Sequence, residues 1–364
     1  MESDPVVRPA VSLIALKSKE GELEAIQHTD SVAAARVVHM IELLDSVRHD
    51  GGRIMSRIAE AAVHLGDLGH PTWIDTRWLS AVDALSLLPG GPYRYLDEAI
   101  ESHQGLLATD GIAMVPIVGD SSTDTTLRQV RSLLEHRDRD IGLRICRLDL
   151  ARHQLTALIE RVLRLTGAAP SRLHLIVDTT YVSELTPDLF TRAAATVRDL
   201  SMIIDSASST LLTGTTPESR TSYDTVVRDR AEPALWAAVR RDSGVNDLRF
   251  GDYGVVHPRP KRGEGTPRVP NPYLNYTIPG RTLVLRRQVD RGSVPGAMAA
   301  AFGDLTAELT ERGEFAGGEF SWGDRTMLEC RTGGSRSAGS VGTWIAMATS
   351  HHISHLARNV DGRS

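Results

Sequence analysis

Residues 142–179 read GLRICRLDLARHQLTALIERVLRLTGAAPSRLHLIVDT. Both ends are short apolar runs rich in β-branched residues, which suit buried strands at 142–150 and 173–179. The stretch between them, HQLTALIERVLRLTG, reads as a helix closed by Gly167, the residue type that most readily takes the left-handed conformation at a helix end. Strand, helix, strand in this order is one parallel β/α unit.

The same alternation extends in both directions. Upstream, strands are expected at 11–16, 35–43, 71–76 and 112–118; downstream, at 201–207 and 247–256. Between them, Ile54, Ile58, Ala61, Ala62 and Leu65 recur at helical spacing. Thr123 or Asp124 can cap a helix that follows, and Thr186 with Pro187 opens another. Eight strands alternating with helices predict an α/β protein closed as a (β/α)8 TIM-like barrel, with an open doubly wound sheet as the alternative.

The rest of the chain breaks the pattern. HPRPKRGEGTPRVPNP (257–272) reads as a loop, and YLNYTI-PG-RTLVLRR as a hairpin around a Pro-Gly turn. Residues 294–312 are expected to form the eighth barrel helix, GEFSWGDRTMLEC a strand-like piece, and 343–359 a last helix. The barrel should therefore span 8–312 with the loop and hairpin at 257–292 inserted, and 313–364 should pack on it as an extension, not as an independent domain.

With 364 residues, 41% hydrophobic and 24% charged, the chain has the composition of a globular protein with a sizeable core. A net charge of −5 does not indicate a nucleic-acid surface. No apolar run approaches the roughly 20 residues of a membrane helix, and MESDPVVRPA is not a signal peptide. The two cysteines, Cys146 and Cys330, form no CxxC pair, which leaves neither a zinc knuckle nor a disulfide framework and makes the cytoplasm the expected compartment. No nucleotide-cofactor motif is present.

A barrel keeps its chemistry at the C-terminal ends of its strands. Those ends carry Lys17 and Lys19, Glu42, Asp75, Arg147 with Asp149, Asp178, Asp205, and Asp252 with Tyr253; Asp120 follows the fourth strand. Taking the fifth strand to run to 150, its period of two puts Arg147 and Asp149 on one face with Leu143 and Ile145. Carboxylates interleaved with Lys and Arg can do acid–base chemistry, and Glu42, Asp75, Asp178, Asp205 and Asp252 are the residues that would bind a divalent metal.

Several fragments together, among them LIALKSKEGELEAI, HMIEL, WIDT, VVRDRAEPALW, RFGDYGVVHP, LNYTI, FSWGDRTML and GTWIAMATSHHISHL, resemble the phage beta-protein family. That resemblance covers most of the chain and implies a barrel-like α/β fold without a settled reaction. It adds Glu22, Arg230 and Glu232, Tyr276 with Thr277, Gly323 with Asp324, and His351 with His352 to the candidate positions.

Two functions are compatible with these residues. The first is an enzyme of hydrolysis or transfer on a small anionic, phosphorylated or peptide-like substrate. Asp178, Asp252, Lys17 and His352 would be its catalytic set, and Lys19, Arg147, Asp149, Arg230, Glu232, Tyr253 and Tyr276 would hold the substrate. The second is a ligand- or partner-binding component of a phage- or defence-related system, without turnover. The three histidines of SHHISHL divide by helical geometry: His352 shares a stripe with Ile345, Ala348 and Leu356 and should point inward, and His351 and His355 should face solvent.

Overall fold

The computed structural model describes residues 11–45, 53–79, 85–86, 90–104, 114–219, 222–260, 271–290, 296–337 and 339–359. Eight parallel strands close a barrel: β1 (Ser12–Lys17), β2 (Val37–Leu44), β3 (Trp73–Trp78), β4 (Val115–Gly119), β5 (Ile141–Ile145), β6 (Leu173–Tyr181), β7 (Ser208–Gly214) and β9 (Arg249–Asp252). They pair in that order, and β9 returns to β1 through Leu13 opposite Gly251 and Ile14 opposite Asp252. This is the (β/α)8 architecture, not the open sheet.

Strand parity sorts the side chains. Leu13, Ala15, Met40, Trp73, Val115, Ile117, Ile176, Leu212 and Tyr253 fill the barrel interior. Their neighbours, including Ile14, Leu16, Ile41, Ile74, Val118, Leu143, Ile145, Leu175 and Val177, face outward to the helices. A parallel sheet covered on both faces needs apolar residues on both, so its strands read as continuous apolar runs rather than alternating ones.

The helices on the outer face are α1 (Glu20–Gln27), α2 (Ser31–Arg36), α3 (Arg53–Asp67), α4 (Gly91–Gln104), α5 (Asp124–His136), α6 (Arg152–Thr166), α7 (Pro187–Ile203) and α8 (Ala231–Ser243). Three end signals act as the sequence suggests. Thr123 caps α5 through the Thr126 N–H, Thr186 caps α7 through the Leu189 N–H, and Gly167 ends α6 at φ 74°.

The seventh strand is displaced from its expected place. SMIIDSA (201–207) is the end of α7 and the turn after it; the strand is SSTLLTG, Ser208–Gly214. Met202 and Ile203 prolong the helix, and an apolar run this short does not distinguish a helix end from a strand. Asp205 therefore sits exposed before β7, at the foot of the barrel and away from its mouth.

A second sheet lies beside the barrel, in the order β10 (Tyr273–Ile278), β11 (Arg281–Arg286), β8 (Val226–Asp229), all antiparallel. The hairpin turns at Pro279 and Gly280, as expected. Of the loop before it, 261–270 fall outside the described residues. Residues 297–310 do form a helix, α9 (Ala297–Thr310), but it packs on β10 and β11 and not on the barrel. GEFSWGDRTMLEC holds helix α10 (Trp322–Cys330), capped by Ser321, in place of the expected strand.

Since α1 and α2 share the crossover from β1 to β2, the eighth place against the barrel belongs to α11 (Val341–Asn359), which contributes Ile353, Leu356 and Ala357 to the barrel core and Trp344, Met347 and Ala348 to the core around the second sheet. Two glycines bring its neighbours into backbone contact. A Cβ on Gly21 of α1 would sit 2.4 Å from the Gly342 carbonyl oxygen, and one on Gly323 of α10 would sit 2.0 Å from that of Met347. Because α11 is enclosed on both sides, His351, His352 and His355 are all buried, and His351 and His355 do not face solvent. Among the described residues no helix is long and apolar enough to cross a membrane.

Candidate active site at the barrel mouth

Toward the C-terminal ends of most strands an inward position is polar. Lys17 on β1, Glu42 on β2, Asp75 on β3, Arg144 on β5 and Asp178 on β6 form a layer over the apolar interior, with Tyr253 just after β9. Arg144, 1% exposed, sits at the centre. Its Nη1 donates to Glu42 Oε1 at 2.8 Å and to Asp75 Oδ2; Nε and Nη2 donate to Asp178 Oδ2 at 3.1 and 3.0 Å; Nη2 also reaches the Tyr253 hydroxyl. The Tyr253 O–H donates in turn to Asp178 Oδ1 at 2.8 Å. Lys17 Nζ donates to Glu42 Oε2 at 3.3 Å.

Arg77, at the end of β3, links this layer to solvent. Its Nη1 donates to Asp178 Oδ2 at 2.7 Å, its guanidinium lies over the Trp78 ring, and it stays 20% exposed. Cys146, directly after β5, places its Sγ 3.3 Å from the same Asp178 oxygen. Burial, reinforced by that carboxylate, pushes the thiol pKa up, so Cys146 is not an activated nucleophile. Thr180 takes φ 56° where β6 slips register against β7, and its N–H donates to Asp178 Oδ1 at 2.7 Å. A β-branched residue in the left-handed region stores strain of about 1–3 kcal/mol, which here helps fix the Asp178 carboxylate.

Electrostatics divides the carboxyls. Burial raises the Asp75 pKa beyond what Arg144 offsets. Burial also acts on Glu42 and Asp178, but Lys17 with Arg144 outweighs it at Glu42, and Arg144 with Arg77 at Asp178, so both are held below the ordinary carboxylate range. Glu22 at the start of α1 behaves like Asp75: burial pushes it up despite Lys17, and its Oε2 has no hydrogen-bond partner. Two carboxyls driven in opposite directions around one guanidinium are the arrangement that separates an acid from a base.

Asp252 belongs elsewhere. It faces outward from β9, where Arg230 pairs with its Oδ2 and His352 Nε2 lies 2.9 Å from the same oxygen. Burial works against ionisation, but His352 and Arg230 prevail and lower its pKa to about 2. His352 Nδ1 meets Thr277 Oγ1 at 2.7 Å, and His351 lies between the Thr277 carbonyl oxygen and Asp324, which also accepts from the Tyr276 hydroxyl at 2.7 Å. Glu232 accepts from the N–H and hydroxyl of Thr215. Asp252, His352, Arg230 and Tyr276 thus join the barrel to α11 and the second sheet, and the expected catalytic set divides, with Lys17 and Asp178 inside and Asp252 and His352 outside.

Other expected positions also shift. The strand β5 ends at Ile145, so Arg147 and Asp149 lie in the exposed turn after it, and the inward charge is Arg144. Leu143 and Ile145 were the clue: they face the helices, which turns Arg144 inward. Lys19 is exposed at the start of α1. Asp120 Oδ2 accepts from the N–H groups of Cys146 and Arg147 and shapes that turn. Of the metal-ligand candidates, Glu42, Asp75 and Asp178 do converge, with the Arg144 guanidinium between them; Asp205 and Asp252 lie apart. Among the described residues no three His, Cys, Asp or Glu side chains are grouped to hold a metal ion.

A family model described as Beta protein matches residues 14–358. No curated protein matches the chain.

Proposed function

The chain belongs to the Beta protein family over nearly its whole length, and we propose that it is an enzyme working at the mouth of its barrel on a small anionic substrate, phosphorylated or peptide-like, by acid–base chemistry. The observation that carries this reading is the pair formed by Asp75 and Asp178, bound to one guanidinium with pKa values driven apart. Asp75 is the proton donor, because burial favours its protonated form. Asp178 stays ionised and holds Arg77, Arg144 and Tyr253 in place. Arg77 recruits the substrate's negative charge, being the cation of the layer that reaches solvent, with Lys19 and Arg147 as exposed charges at the ends of β1 and β5. A cytoplasmic, phage- or defence-related setting is part of the same proposal.

A turnover screen tests it. Purified protein is incubated with pools of phosphate monoesters, nucleotides and short peptides, and products are read by mass spectrometry. Wild type should convert members of one class, and Asp75→Asn should lose about 10²- to 10⁴-fold in rate while remaining folded. The competing reading, a binder without turnover, draws on the completeness of the Arg144 pairing. It wins if anionic ligands raise the melting temperature of wild type and Asp75→Asn equally and nothing is converted.

A further inference from the structure

We propose that His257 is the proton acceptor at the rim of this site. The inference rests on the barrel-mouth reading above and adds a residue to it. His257 follows β9 and is partly exposed, and its Nδ1 lies 2.8 Å from the Thr216 carbonyl oxygen. A carbonyl oxygen only accepts, so Nδ1 must carry the proton. In the neutral ring that fixes the tautomer and leaves the lone pair on Nε2.

The position is set by the strands that carry the site. The His257 ring packs against that of Tyr181, centroids 4.7 Å apart, and Tyr181 ends β6 three residues after Asp178. Tyr181 is opposite Gly214 at the end of β7, and the next residue after His257, Pro258, fills the space a Cβ on Gly214 would need, beside the Tyr253 ring. The histidine is therefore placed over the β6–β7 side of the mouth. Asp75 is on the other side of Arg144, on β3. One group tends to give a proton and the other is built to take one, and Arg77, paired with Asp178 and 20% exposed, reaches solvent from the same layer. A water or substrate hydroxyl bound at Arg77 would lose its proton to Nε2 as its oxygen attacks, and the leaving group would take a proton from Asp75. Charge and atoms balance without a further reactant.

Two measurements test this. Long-range ¹H–¹⁵N spectra of ¹⁵N-labelled protein, with the His257 signals assigned by their loss in His257→Gln, should show the neutral ring as the tautomer with its proton on Nδ1. The opposite tautomer overturns the proposal. His257→Asn retains a donor for the Thr216 carbonyl but has nothing in place of Nε2. On whichever class the screen identifies, it should lose about 10²- to 10⁴-fold in turnover. Wild-type turnover in His257→Asn, alongside an inactive Asp75→Asn, would remove His257 and leave the site reading intact. If wild type converts nothing, the site reading fails first and the catalytic role of His257 with it.

Discussion

Replacing Arg144 by Met removes one cation from among three buried carboxylates. Glu42, Asp75 and Asp178 are each at most 2% exposed, so none can turn to solvent. Breaking a buried ion pair from one side costs about 3–5 kcal/mol, because the remaining charge stays desolvated. Three carboxylates would multiply that figure were they equivalent, but they are not. Asp75 already leans toward its neutral form, Glu42 keeps Lys17 at 3.3 Å, and Asp178 keeps Arg77 at 2.7 Å. The expected loss at pH 7 is therefore about 4 kcal/mol, a large share of the stability of an ordinary domain.

The pH dependence has a definite sign. In the wild type, Glu42 and Asp178 have folded pKa values below their unfolded ones. They contribute stability that is present above about pH 4 and lost as pH falls through the depressed folded values. In the variant both values rise above the unfolded ones, so ionisation works against folding at pH 7 and acid relieves it. The difference between the proteins should narrow by about 1–2 kcal/mol between pH 7 and pH 5, since a tenfold change in an ionisation equilibrium is worth about 1.4 kcal/mol. Urea unfolding followed by tryptophan fluorescence reads this, with Trp73 in the barrel interior as a reporter. A loss under about 1 kcal/mol at pH 7, or a difference unchanged at pH 5, would refute the account of Arg144 as the cation that compensates a buried acidic layer. Arg144→Lys, which retains the charge without the fork, should fall between the two.

The histidines of α11 are separable by the same assay: His352→Ala strips Asp252 of a partner and should cost about 3 kcal/mol, whereas His355, whose pKa burial lowers to about 2, is neutral at pH 7 and should cost roughly 1 kcal/mol on truncation. Equal losses would contradict the assignment of the Asp252 pair. Gly323→Ala should lower the melting temperature, with a loss of about 1–3 kcal/mol, because the new Cβ meets the Met347 carbonyl oxygen at 2.0 Å. Helix propensity alone predicts a gain of about 1 kcal/mol from that change, so a more stable variant would show that α10 and α11 are not in backbone contact.

The fold was legible where elements carried their own end signals. Thr123, Thr186 with Pro187, and Gly167 mark helix ends without help from the rest of the chain, and the β/α alternation does the same for the barrel. Legibility failed where an element is defined by what it packs on. Nothing local in residues 297–310 says that this helix serves the second sheet, or that α11 takes the eighth place instead. At the site, reading the strand ends names Lys17, Glu42, Asp75 and Asp178, which the barrel gathers into one layer, and parity was the missing step. Asp252 and Tyr253 are adjacent in sequence yet face opposite sides of the sheet, which separates two clusters that read as one ring. Arg144 was hidden by taking the face of Leu143 and Ile145 as the inward one; those two pack on the helices, which turns Arg144 inward and would have left Arg147 and Asp149 outward even in a longer strand.

The seating of α11 also has a temporal consequence. Its backbone meets α1 at Gly21 and Gly342, and the Arg36 Nη1 donates to the Ala357 carbonyl oxygen across 321 positions of chain. The first β/α unit therefore cannot cover its apolar flank until α11 has been made. Through most of synthesis that flank is bare, and a closure this distant in sequence is slow to find. A peptide corresponding to α11, supplied to the truncated chain, is thus a natural occupant of the same groove.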